Sequence, residues 1–97
     1  MGDRASISFV DYNKDGTIWD ESVSLFSHWG GFDFVTKASE FAKVLKDDEP
    51  CFAMVEFIRS LPKDYSVYLG KNDKSGDNSD NGHWYIEVIT GIVKRKI

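Results

Sequence analysis

The chain has one cysteine, two prolines and two histidines in 97 residues, and each shortage closes off a class of protein. A lone Cys51 allows no internal disulfide, so the fold must stand on its core, and a reducing compartment, the cytoplasm, is expected. Two histidines and one cysteine without paired spacing make no zinc site. No apolar run reaches the ~18 residues of a membrane span, so no membrane partner is expected. Basic charge is also scarce. Twelve Lys and Arg against sixteen Asp and Glu leave a net charge of −4, whereas a nucleic-acid binder needs cations to neutralise phosphates. No nucleic acid is expected, and the short run Lys94-Arg95-Lys96 reads as a solvated strand edge. Neither a phosphate-binding loop nor a dinucleotide fingerprint is present. The N-terminus lacks the apolar stretch of a signal peptide. Gly2 with Ser6 matches the bare myristoylation pattern, but a strand beginning near Ala5 would tie that end into a sheet.

What the chain does have is bulk. Hydrophobic residues make up 41% and aromatic residues 14%, enough for one globular domain over residues 1–97. Ser6–Asp11 alternates with Ile7 and Phe9 on one side, a strand pattern. Asp15-Gly16 supplies the positive φ of a hairpin turn, and Trp19–Trp29 returns as a strand with Val23, Leu25, Ser27 and Trp29 on one face. Gly30-Gly31 ends it. Asp33 is placed to cap a helix whose stripe is Phe34, Ala38, Phe41 and Leu45, widened by Val35 and Ala42. Pro50 opens a second helix with Cys51, Met54 (or Val55), Ile58 and Leu61 facing in, and Pro62 stops it. Tyr65–Leu69 is a third strand. Gly70–Gly82 is a polar loop, and His83–Thr90 is a strand with Trp84, Ile86 and Val88 inward. Thr90-Gly91 turns into a short last strand. The expected fold is α+β, an antiparallel sheet of four to five strands with two helices on one face, in the order ββααββ(β).

Under that alternation Phe26, His28, Tyr68, His83, Tyr85 and Glu87 share the face away from the helices, where they would form an interaction surface for a protein partner or a homodimer. A second candidate is the corner His28-Trp29-Gly30-Gly31, where backbone amides could hold an anion or small ligand. A third is cation binding. Asp11, Asn13 and Asp15, with Gly16 and Ile18, reproduce the first eight positions of a calcium loop. The bidentate Glu is missing, however, because Ser22 stands at the twelfth position. Asp73 and Asp77 offer oxygen groups in the later loop. Beyond a weak Ca²⁺ site no cofactor is expected. Catalysis finds no constellation: Ser27 and His28 are strand neighbours pointing to opposite faces, and Cys51 is placed in the core.

The opening Met1-Gly2-Asp3-Arg4-Ala5-Ser6-Ile7, with Ser24-Leu25-Phe26-Ser27-His28-Trp29-Gly30-Gly31, resembles a group of small uncharacterised prokaryotic and phage proteins. These begin Met-Gly-x-Arg-Ala and carry a Tyr-x-His-Trp-x-Gly type segment before a helix. The resemblance covers about the first third of the chain. It implies a prokaryotic or viral cytoplasmic protein, carries no activity with it, and adds Arg4 to His28 and Trp29 as positions of interest. The leading expectation is a non-enzymatic protein-interaction module.

Overall fold

A computed structural model describes residues 3–70 and 78–96. Its elements are β1 (Ala5–Tyr12), β2 (Ile18–Glu21), β3 (Ser24–Ser27), α1 (Gly31–Leu45), α2 (Pro50–Ser60), β4 (Val67–Gly70), β5 (His83–Glu87) and β6 (Val93–Arg95). This is the expected α+β order. The sheet runs β4-β3-β1-β5-β6, with β2 also paired to β1. One pairing departs from expectation: β5 lies parallel to β1, with Ser6 opposite His83 and Val10 opposite Glu87. The chain leaves β4 at one edge and re-enters on the far side of β1, pointing the same way as β1.

The return arm of the first hairpin is two strands rather than one. β3 pairs with the start of β1 (Ile7 opposite Leu25) and β2 with its end (Val10 opposite Glu21). Ser22 holds the join. Its amide donates to the Phe9 carbonyl and its hydroxyl accepts from the Phe9 amide, both at 2.9 Å. This irregularity shifts the alternation by one residue, so Ser22 is buried and Val23, expected inside, is exposed.

Ala5, Ile7, Phe9, Leu25, Ile86 and Val88 form the sheet's half of the core, beneath Phe34, Val35, Ala38 and Ala42 of α1 and Ala53, Met54 and Phe57 of α2. Phe57 is the hub, with ring centroids 5.8 Å from Phe9, 5.9 Å from Phe34 and 5.5 Å from Phe41. The buried stripe of α2 therefore starts at Pro50, one place before the expected Cys51, and both Cys51 and Val55 are exposed. At the head of α1, Gly30 takes the capping position with φ +97°, and Asp33 sits inside the first turn without capping. A carboxylate there still suits the helix dipole.

The β5–β6 turn is docked on α1. The Ser39 hydroxyl donates to the Gly91 carbonyl at 2.5 Å, and a Cβ on Gly91, at φ +71°, would sit 2.5 Å from the Ser39 carbonyl oxygen. Gly91→Ala is therefore expected to cost about 1–3 kcal/mol, read as a lower urea midpoint at unchanged slope. A loss under 0.5 kcal/mol would show that the turn is not held against α1.

Candidate functional site

On the sheet face away from the helices, Ser6 and Ser8 of β1 meet the imidazole of His83 from β5, and Ser24 of β3 meets Ser8. The Ser6 hydroxyl lies 2.6 Å from Nδ1 of His83, and the Ser8 hydroxyl lies 3.2 Å from Nε2 and 3.3 Å from the Ser24 hydroxyl. The Asn78 side-chain amide donates to the Ser6 hydroxyl at 2.9 Å. A neutral imidazole carries one donor and one acceptor, so one serine donates to the ring and the other accepts. A serine 2.6 Å from a histidine has the spacing of a nucleophile and its base. His83, Ser6 and Ser8 are nevertheless 0% exposed, so no substrate reaches them, and the cluster acts as a satisfied polar core. Its signal in the sequence was the pair of serines at alternate positions of a β-run, small side chains that leave a hollow large enough for a ring.

The interaction surface expected on this face is corrected accordingly. Phe26, His83 and Tyr85 are buried, while His28, Tyr68 and Glu87 are half-buried. Phe26 stacks on Tyr68 at 5.2 Å, and His28 lies 5.3 Å from the same Tyr68 ring. The alternation identified which side chains share the face but not what packs over them.

The corner after β3 is closed by the chain itself. The Gly31 amide donates to the Asp3 carbonyl and the Asp3 amide to the His28 carbonyl. The Asp3 carboxylate sits where a Gly31 side chain would be and accepts from the Asn81 side-chain amide at 2.8 Å. An anion would meet a carboxylate there. Arg4 is not part of this corner: its guanidinium and backbone amide hold Asp80 at 3.2 and 3.0 Å, which lowers the Asp80 pKa from the ordinary carboxylate value. Trp29 is 57% exposed rather than packed. With Gly30, Asp64, Tyr65 and Ser66 it lines a shallow hollow of about 280 Å³.

The first Asp-rich loop is a hairpin turn. Asp15 accepts from the Thr17 amide at 3.0 Å and from its hydroxyl at 2.6 Å, bonds that hold the carboxyl below its usual pKa. The Asn13 side chain donates to the Thr17 hydroxyl, and Asp11 stands in β1 opposite Asp20. Among the described residues no three His, Cys, Asp or Glu side chains gather as metal ligands. Asp73 and Asp77 lie outside the described residues.

The feature not anticipated is a cleft of about 450 Å³ between the hairpin tip Gly16–Ile18 and the last strand. Its walls carry the rings of Tyr12 and Tyr85 and the residues Lys94, Arg95 and Lys96. The Lys96 ammonium lies 5.4 Å from the Tyr85 ring centroid, and the Arg95 guanidinium lies 5.3 Å from that of Trp84. The Tyr12 hydroxyl is shielded from water with no hydrogen-bond partner among the described residues. Burial first, then the charge of Glu87, raises its pKa. The basic run does lie on a strand edge, as expected. Its gathering with Tyr12 and the hairpin tip depends on a long-range contact that local pattern cannot reveal.

Among the described residues no helix is long and apolar enough to cross a membrane. No protein-family model matches the chain, and comparison with curated proteins and with solved structures gave no significant match.

Proposed function

We propose that the chain is a non-enzymatic interaction module that grips an anionic group of a protein partner in the cleft between the β1–β2 hairpin tip and β6. The observation that carries this reading is the placing of Lys94 and Lys96 on the Tyr85 side of one cleft in a chain of net charge −4. The cations would supply the field. Tyr12 and Tyr85 would supply the walls of the cleft. Two lysines suit a single carboxylate and fall short of the ~6–10 phosphate contacts typical of a DNA-binding protein. An exposed free Cys51 fits a reducing compartment, which supports a cytoplasmic partner, in keeping with the resemblance to prokaryotic and phage proteins.

Sodium tripolyphosphate, a compact anion, tests the cleft without presuming the partner. Titrated into ¹⁵N-labelled protein, it should shift the amides of Tyr12, Gly16–Ile18, Tyr85 and Lys94–Lys96. The effect should weaken with salt and fall at least tenfold in a folded Lys94→Glu/Lys96→Glu variant. Shifts that ignore the charge reversal, or none at the cleft, would overturn the reading.

A further inference from the structure

We infer that a second copy of the chain pairs with β4, the two copies joining edge to edge about a two-fold axis into one continuous sheet, an association independent of the cleft reading. β4 ends the sheet order on the side opposite β6. Its phase follows from one bond at its start. The His28 amide donates to the Ser66 carbonyl at 3.3 Å, so His28 and Ser66 form a bonded pair. Bonded pairs recur every second residue of an antiparallel ladder, which makes Phe26 with Tyr68 and Ser24 with Gly70 bonded pairs too. The backbone groups of Tyr68 and Gly70 therefore turn toward β3, and those of Val67 and Leu69 turn outward. Among the described residues no strand takes up this outer row.

Sheet edges are normally guarded by a lysine, a proline, a bulge or a covering element. The run Val67-Tyr68-Leu69-Gly70 has neither charge nor proline, and its register against β3 is unbroken. Leu69 stands opposite Leu25 on the helix side of the sheet and is 56% exposed. A copy of the same strand fits this row without remainder. With the axis at Tyr68, Val67 faces Leu69 of the second copy, and Leu69 faces Val67 of the second copy. Each of these pairs exchanges two main-chain bonds, so every outward donor and acceptor of Val67 and Leu69 is used. The cross-strand pairs are apolar, and no charge meets its own kind. Val67 and Leu69 offer no polar side chain that would select a foreign strand, whereas a copy matches in length, phase and apolar character. The contact is isologous and closes at two copies. Four residues a side bury less than the ~1,200 Å² of a stable interface, so the dimer is weak and forms as concentration rises.

Hydrogen exchange and sedimentation of the parent chain, read against protein concentration, test this. Between dilute and concentrated samples the Val67 and Leu69 amides should slow at least tenfold, in step with the rise in sedimenting mass. In a mixture of ¹³C-labelled and unlabelled chains, the Tyr68 α-proton should contact Tyr68 of the other copy, because facing residues of a non-bonded pair stand about 4.5 Å apart at Cα. Leu69→Pro removes an amide that bonds nothing within its own copy, and an edge strand tolerates proline at such a position. The variant should stay folded and lose at least tenfold in association. Leu69→Lys guards the edge by charge and should have the same effect, which keeps the test decisive if the proline variant does not fold. A chain that remains monomeric, with exchange at Val67 and Leu69 independent of concentration, overturns the inference. So does a dimer that keeps its affinity in the folded Leu69→Lys chain, since its contact must then lie elsewhere.

Discussion

Phe57→Ala should leave the protein largely unfolded in urea concentrations that the parent chain withstands. Phe57 is fully buried and touches the rings of Phe9, Phe34 and Phe41, so its removal joins the undersides of β1, α1 and α2 into one void. Phe→Ala at such a site costs about 3–5 kcal/mol, the lost transfer energy plus the cavity that neighbours fail to fill. Globular domains are stable by only about 5–15 kcal/mol, and small ones sit low in that range. The loss is therefore most of what holds the fold. Val44→Ala, on the same helical layer but 81% exposed, should change stability by under about 0.5 kcal/mol. Urea denaturation followed by tryptophan fluorescence and by circular dichroism reads both. A Phe57→Ala loss below 1 kcal/mol would mean that the three-ring contact is not the centre of the core.

Phe57 also marks where the sequence was hard to read. The second helix offers two apolar stripes at helical spacing, one through Cys51, Val55 and Ile58 and the other through Pro50, Ala53, Met54 and Phe57. Periodicity favours neither. The choice falls to the second because Phe57, rather than the equally large but exposed Phe52, packs against Phe9 and Phe34, a long-range fact. The first helix was legible from its stripe alone, since Phe34, Ala38 and Ala42 have no rival face. Its start was less so. Asp33 has the chemistry of a cap, but Gly30 takes the left-handed conformation three residues earlier, and only a residue without Cβ does that cheaply. In the sheet, alternation placed Leu25, Ile86 and Val88 correctly and failed at Val23, where Ser22 absorbs an extra residue. The candidate site was the least legible part. Each of its pieces was visible as a tyrosine, a turn or a basic run, while their meeting at one cleft follows from a hairpin tip standing opposite the last strand.

The second face of the sheet was misread for a different reason, and His83→Ala is the substitution that exposes it. Serine and histidine on alternating positions look like a solvated face, whereas here they pack against one another out of water. Removing the imidazole opens a hole and strips a partner from the Ser6 and Ser8 hydroxyls. Each hydroxyl left short of a partner costs about 1–3 kcal/mol, so a total loss of about 3 kcal/mol or more is expected, second only to Phe57. The decisive comparison is a cycle. In a Ser6→Ala/Ser8→Ala background the hydroxyls that need His83 are gone, so the further change His83→Leu should cost less than it does alone, by about 1–3 kcal/mol of coupling. Additive losses would mean that each side chain is buried for its own volume, with no shared network. Coupled losses would mean that the face is held shut by hydrogen bonds that must break together. In that case the buried pair of Ser6 and His83, for all its catalytic spacing, serves to lock β5 beside β1 and so to carry β6 into place.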